Sequence, residues 1–416
     1  MLLDSNIVLR KFAKVFSLVS DLSMTVSSKL LDLSIAERES LGLYHTLREI
    51  LQQPQTWRQT YRKVMSSSGP IQEFLTKAGL GEDRSRSLNV LLVGAGTSDY
   101  IGKSVSALLR REWHCNVQAV PSTDLVTNMD DHIFADSDYL LISFSRSGDS
   151  SEGVAVLEQA LATYPRIKHF IVTCNENGKL ARLAAGDNVF SFVLDDEVND
   201  RGLAMTSSYS NMVVVAQALA HFRRLETYGS IVASLATSGS LILPAAINLC
   251  ERIVDEKFSR VCFLGTGPLK GAAVESGLKV VELTGGRVVG LTESFLGLRH
   301  GPLSAIDRDT LVVGFLSADR RRRAFELDLL HEICNKNLTE KCLVVTPFAL
   351  TNGLDAFESR LSLDLPEEIS DLYLPPLFVL VGQLLGLLAS IREGLRPDEP
   401  SPQGAISRVV SHVTIH

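Results

Sequence analysis

Closely spaced cysteines are missing from this 416-residue chain. Cys115, Cys174, Cys250, Cys262, Cys334 and Cys342 include no pair separated by two residues. That removes a zinc knuckle and a thioredoxin-like motif from consideration. Cys115, Cys174 and Cys262 lie beside predicted strands and read as small buried residues. Such usage suits a reducing cytoplasm. Positive charge is not in excess either: a net charge of −7 gives no general attraction to nucleic acid. The one basic run, residues 320–323 after Asp319, reads as a solvated helix start or loop. No apolar run approaches the length of a membrane span. Met1 to Leu22 is interrupted by Asp4, Arg10, Lys11, Lys14 and Asp21 and has no small-residue cleavage site, so no signal peptide is read. These first residues, up to position 23, read either as a start-codon artefact or as a loosely packed helix. No metal site or cofactor motif is expected.

What is present suits a globular protein. Hydrophobic residues make up 45% of the chain and charged residues 21%, enough for the cores of two ordinary domains. Ser34 to Gln53 has helical spacing and is expected to stop at Pro54. Trp57 to Ala78 reads as a second helix, broken near Ser67–Pro70. Ser87 to Val93 then reads as a buried strand, Gly94 to Asp99 as a tight loop, and Tyr100 to Arg111 as a helix. Further strands are expected at Val117 to Val120, Tyr139 to Phe144, His169 to Thr173 and Val189 to Val193. Strands alternating with helices argue for a parallel sheet covered on both faces.

The stretch Ser145-Arg146-Ser147-Gly148-Asp149-Ser150 falls between the strand Tyr139–Phe144 and a helix expected over Glu152–Ala162. Unpaired N–H groups and the helix dipole favour an anion at such a turn. Small side chains let a phosphate approach, and hydroxyls and Arg146 can donate to it. An ordinary Ser/Gly-rich turn is the plainer alternative. The Gly94 turn lacks the third spaced glycine of a dinucleotide fingerprint, leaving a nucleotide site as its runner-up role.

The order then restarts. Leu241 to Ile253 reads as a helix, Arg260 to Leu264 as a strand, Gly265 to Pro268 as a turn, Gly271 to Leu283 as a helix and Thr310 to Phe315 as a strand. A shift of 171 residues places Gly94 and Gly96 on Gly265 and Gly267, and Asp138, Leu140 and Phe144 on Asp309, Leu311 and Phe315. Two strand-turn units keeping one ungapped register indicate duplication. Ser145–Gly148 falls on Leu316–Asp319, and Ser98 on Leu269. One phosphate site per chain is therefore expected, in the first copy, with the second copy's loops free for another task.

Gly94-Ala-Gly-Thr-Ser98 together with Ser145–Ser150 resembles the sugar isomerase (SIS) domain, and the paired copies resemble the isomerase half of glucosamine-6-phosphate synthase. Glu275-Ser-Gly-Leu-Lys279, Glu282-Leu-Thr, Glu293 through His300-Gly-Pro302 and the tail Arg396–Pro402 narrow the likeness to the AgaS group of galactosamine-6-phosphate deaminase/isomerases. The resemblance spans about residues 34 to 416. It implies an α/β fold of two tandem SIS domains, flavodoxin-like or Rossmann-like three-layer sandwiches. The expected divisions are a helical extension over 1–54, a phosphate-binding domain over 55–227, a catalytic domain over 228–394, and a tail over 395–416 that closes the site.

By position, the resemblance makes Ser98, Ser145, Arg146, Ser147 and Ser150 phosphate ligands. Arg146 stands where the synthase has an uncharged Gln, so it either tightens phosphate binding or turns to solvent. Glu282 matches the base that moves a proton between C1 and C2. A carboxylate suits that task because burial can raise its pKa. Its structural alternative is a helix-face carboxylate paired with Lys279, and Glu293 is the other candidate base. His300 matches the ring-opening acid/base, contributed across a dimer interface in the synthase. Lys279, Glu275, Thr206 and Arg408 are candidates for positioning substrate, and Thr206 with Ser207 for lining the sugar pocket. Arg408 replaces a lysine that forms a covalent adduct in the synthase, which an arginine cannot do. No glutaminase segment is visible.

The resemblance therefore implies a cofactor-independent, cytoplasmic enzyme, a homodimer or higher homo-oligomer. It would bind a small sugar phosphate, not nucleic acid or membrane. It would convert galactosamine 6-phosphate to tagatose 6-phosphate and ammonia within N-acetylgalactosamine catabolism. Isomerisation without deamination and a non-catalytic sugar-phosphate sensor are the alternatives.

Overall fold

A computed structural model of the chain describes residues 30–81, 87–183, 186–350, 352–401, 403–410 and 413–416. The readings made for Met1 to Leu22 lie outside them. Four helices come first: α1 (Ile35–Leu41), α2 (Tyr44–Leu51), α3 (Gln53–Ser66) and α4 (Ser68–Lys77). The single helix expected over Ser34–Gln53 is two, because Gly42 adopts left-handed dihedrals and closes α1. Pro54 does not end a helix. It falls in the first turn of α3, where its missing N–H leaves no bond unmade.

The first α/β unit comprises β1 (Leu88–Gly94), α5 (Thr97–Trp113), β2 (Asn116–Pro121), β3 (Asp138–Ser145), α6 (Ser151–Thr163), β4 (Lys168–Thr173), β5 (Val189–Val193) and α7 (Ser207–Ala220). A 30-residue helix, α8 (Glu226–Asp255), leads to the second unit. The helix expected from Leu241 is the latter half of α8, which continues through Pro244. The second unit holds β6 (Arg260–Gly265), α9 (Pro268–Leu283), β7 (Val289–Glu293), β8 (Thr310–Phe315), α10 (Arg320–Asn335), β9 (Cys342–Thr346), β10 (Ser359–Ser362) and α11 (Pro375–Arg392).

Both sheets are parallel, with orders β2-β1-β3-β4-β5 and β10-β9-β8-β6-β7. Read from the strand that opens each unit, the two orders are the same. Side-chain direction repeats too. Val90 and Leu92, like Val261 and Phe263, face one continuous core shared by both units. Leu91 and Val93 face a separate outer cluster, as do Cys262 and Leu264 on the second sheet. Residues alternate across a strand, so burying both faces requires the unbroken apolar runs seen here.

Helix α9 is central. A Cβ on Gly271 would meet the Ser104 amide nitrogen of α5 at 2.7 Å, and one on Gly382 of α11 would meet the Ser276 Cα at 2.7 Å. Small residues thus let α5, α9 and α11 approach backbone to backbone. By length and composition α8 and α11 could each cross a membrane, contrary to the expectation that no run reaches that length. The apolar window of α11 is 89% buried within the protein, the position of a core helix.

Candidate active site

In the first sheet the order in which strands are added reverses between β1 and β3, and ligands of open α/β sheets bind beyond the carboxyl ends of strands at such a switch. Two turns meet there. Gly96 caps α5 at φ 54° and ψ −124°, dihedrals open to glycine. Helix α5 therefore begins at Thr97, and Ser98 stands in its first turn rather than in the expected loop. From the end of β3, the Ser145 hydroxyl accepts from the Gly148 N–H at 3.0 Å and the Ser147 hydroxyl from the Asp149 N–H at 3.2 Å. Asp149 turns outward and accepts from the Lys179 N–H at 2.9 Å. Ser150 caps α6, and its hydroxyl makes no capping bond.

Ser98, Ser145, Arg146, Ser147 and Ser150 together line a cavity of ≈ 140 Å³. Ser122, Glu152, Met205 and the tail residues Arg408, Val409 and Val410 complete much of its wall. Four hydroxyls at a helix N-terminus can bind a phosphate. Arg146 is buried rather than turned to solvent, and it donates to backbone carbonyls of Gly202, Leu203 and Arg408. Burial lowers its pKa, though a guanidinium stays protonated.

Thr206 and Ser207 do not open onto this cavity. Both are fully buried, and Asp200 accepts from the Thr206 hydroxyl at 3.0 Å and from the Ser207 N–H at 2.9 Å. Asp200 thereby satisfies the start of α7, a role the sequence reading did not assign. A carboxylate shortly before a helical run was the available signal. Asp398 does the same for α2, accepting from the His45 N–H at 3.1 Å and the Thr46 N–H at 2.7 Å. It ties the tail to the N-terminal helices.

The candidate base lies on the second unit but reaches the first. Lys279 of α9 is fully buried and donates to the Thr97 hydroxyl of α5 at 3.0 Å. It also donates to Glu282 and pairs with Glu275 at 3.3 Å. Burial works to lower the Lys279 pKa, but the two carboxylates outweigh it and the net direction is up. Burial, opposed by Lys279, pushes Glu275 up to about 8. One Glu275 oxygen has no partner among the described residues. The Glu282 side chain is 23% exposed, so it is both paired with Lys279 and accessible. A charged lysine beside a solvent-reachable carboxylate can stabilise negative charge while that carboxylate moves a proton.

Glu293 and His300 lie elsewhere. Glu293 ends β7 and accepts from Lys270 and from the Ser294 N–H. Lys270, and then Ser294, hold its carboxyl below the usual range. Lys270 is in the first turn of α9 and Glu282 in the last, about 18 Å apart along the axis at 1.5 Å per residue. The two candidate bases therefore do not share a site. His300 is exposed in the loop after the one-turn helix Phe295–Leu298.

The second unit's matching turns are closed, not free as expected. Leu269 is fully buried where the first unit has Ser98. Asp371 accepts from the Ala318 N–H at 2.6 Å, from Arg322 at 2.9 Å and from the Ser317 hydroxyl. Glu326 accepts from the Ser317 N–H at 2.7 Å.

The SIS domain family matches residues 85–222. A candidate D-galactosamine-6-phosphate deaminase AgaS of Streptomyces coelicolor is 38% identical over 89% of this chain and 95% of its own. The D-galactosamine-6-phosphate deaminase AgaS of Escherichia coli O157:H7 is 35% identical over the same shares. The chain belongs to the AgaS family. A solved structure, that of a candidate tagatose-6-phosphate ketose/aldose isomerase of Clostridium novyi NT, superposes with a TM-score of 0.87 at 34% identity. It covers 91% of this AgaS-family chain and 96% of that one. The duplicated α/β architecture of this chain is thus shared with that solved structure.

Proposed function

We propose that the chain converts D-galactosamine 6-phosphate and water to D-tagatose 6-phosphate and ammonia. The observation that carries this reading is the buried Lys279. It joins Glu282 to Thr97, the residue before Ser98 in the serine-lined cavity. A phosphate-binding turn and a proton-moving carboxylate are thereby held in one constellation. The names of the relatives supply the substrate class.

In this reading Ser98, Ser145, Ser147 and Ser150 hold the phosphate. His300, exposed after the helix Phe295–Leu298, opens the sugar ring of a second copy's substrate, as the resemblance implies. Glu282 removes the C2 proton of the open amino aldose and delivers it to C1. Charge on the intervening enolamine is stabilised by Lys279. In the same conversion a proton passes from the amine nitrogen to O1, and the product is a C2 imine. Water adds at C2, the C–N bond breaks with its proton going to nitrogen, and ammonia leaves behind the ketose. Arg408 cannot form a covalent adduct, so none is invoked. The enzyme would act as a cytoplasmic homodimer in N-acetylgalactosamine catabolism.

The test is ammonia release from purified protein given galactosamine 6-phosphate, with glucosamine 6-phosphate in parallel. Ammonia and a ketose 6-phosphate from the galacto substrate are expected. A ketose product formed from a neutral aldose phosphate, with no ammonia from either amino sugar, would replace deamination with plain isomerisation.

A further inference from the structure

The serine loop's one cation spends its resolved hydrogen bonds on the chain itself. Arg146 stands between Ser145 and Ser147, both in the cavity wall. Its Nη1 donates to the Leu203 carbonyl at 3.1 Å and the Gly202 carbonyl at 3.4 Å, and its Nη2 to the Arg408 carbonyl. Arg408 returns the contact to the same region. Its Nε donates to the Asp200 carbonyl at 2.9 Å and its Nη2 to the Asn199 side-chain oxygen at 2.8 Å. Two residues on, the Val410 carbonyl accepts from the Ser151 N–H at 3.2 Å, at the first residue of α6. The tail therefore occupies part of the helix terminus beside which a phosphate would sit, and it forms one side of the cavity.

We infer that Arg146 is a positioning residue that fastens the C-terminal segment over the phosphate cavity, so that phosphate affinity depends on residues some 262 positions away. Only the identity of the substrate rests on the functional reading above; the fastening does not. A planar guanidinium suits the task because it presents several donors in a fixed fork to carbonyls from two separate segments. A lysine donates from one nitrogen and lacks the fixed fork that reaches carbonyls of two segments. An uncharged side chain here would leave carbonyls in the wall without partners.

Hydrogen exchange on the unliganded full-length chain reads the fastening without substrate. Arg146→Gln should speed exchange about tenfold or more at the Ser151 amide and through residues 403–410. Amides of β3 and β4 should keep their protection. With galactosamine 6-phosphate, KM should rise about tenfold or more while kcat changes by less than about threefold. Arg146→Lys should fall between wild type and Arg146→Gln in both readouts. Arg408→Ala should reproduce the exchange pattern, and the double variant should add little to either single, because both residues hold one segment.

Unchanged exchange at Ser151 and 403–410 in Arg146→Gln would overturn the inference. So would fully additive effects of the two variants. Should Arg146→Gln fail to fold, Arg146→Lys decides, because Arg408→Ala keeps the backbone carbonyl that Arg146 holds: partial loss of Ser151 protection with a raised KM supports the fastening, and full protection overturns it. A wild-type chain inert toward galactosamine 6-phosphate would count against the functional reading, while the exchange comparison would still decide the role of Arg146.

Discussion

The two α/β units share a backbone and satisfy the same polar groups by different means. Gly96 and Gly267 cap their helices with nearly the same dihedrals, φ 54° and ψ −124° against φ 60° and ψ −127°. Beyond those turns the copies part. The first leaves a cavity lined by serines; the second inserts its own carboxylates, Asp371 and Glu326, against the loop Leu316–Asp319. Donors gathered beyond the sheet must find an acceptor or lose stability. One copy can take it from an external phosphate, and the other carries it within the chain. Duplication has left the serine-lined cavity on one copy and put both the loop-filling carboxylates and the candidate base on the other, without changing the sheet.

The largest expected effect breaks the catalytic side of that division. Glu282→Gln should lower turnover by about 10² to 10⁴-fold, the usual contribution of a positioned general base. A thermal shift with the substrate should persist. Next, Ser98→Ala and Ser147→Ala should each raise KM about tenfold, the worth of one hydrogen bond to a charged ligand, measured by steady-state kinetics. In the second copy, Asp371→Asn should leave KM alone and cost about 1 to 3 kcal/mol in denaturant unfolding, through weakened bonds to Ser317, Ala318 and Arg322.

The smallest effect is a pH dependence set by one carboxylate of α2 and one of the second copy. Burial pushes Glu49 to about 8, aided by Asp200, and Glu326 to about 7. The folded chain then keeps protons that the unfolded chain has released above the ordinary carboxylate pKa of about 4.3. Their contribution is fully present below that value and is lost as pH rises toward 7 to 8. Unfolding titrations of Glu49→Gln and Glu326→Gln should each show a shallower decline over that window than wild type. A decline of unchanged slope in both would assign the trend to other groups.

The sequence carried the duplication because the 171-residue register tracks glycines and strand residues whose positions the fold constrains tightly. It carried the serine loop for the same reason: hydroxyls and a glycine at a strand-to-helix turn have a local chemical meaning. The reading ran out where partners come from afar. Nothing local to Arg146 indicates that its acceptors are the carbonyls of Gly202, Leu203 and Arg408. Asp371 lies 54 residues beyond Ser317, and its role emerges only when α11 packs beneath the second sheet. The β7 strand also escaped notice, since Val289–Glu293 is only partly buried and shows no clean alternation. Glu282 and Glu293 could not be ranked from spacing. Helix α9 separates them: Glu282 lies in its last turn, while Glu293, at the end of β7, pairs with Lys270 of its first turn.

Where Gly271 meets Ser104, α9 and α5 touch with no side chain between them, and Lys279 pins the same pair of helices at Thr97. The two contacts act as a ruler. In the proposed function they set the spacing between α5, which carries Ser98, and α9, which carries Glu282. A pentose 5-phosphate is therefore expected to bind, as read by thermal shift, and to give no measurable turnover; turnover equal to that of the hexosamine phosphate would refute the ruler. Carbon-chain length is then measured by the scaffold, leaving the loops to distinguish one hydroxyl configuration from another.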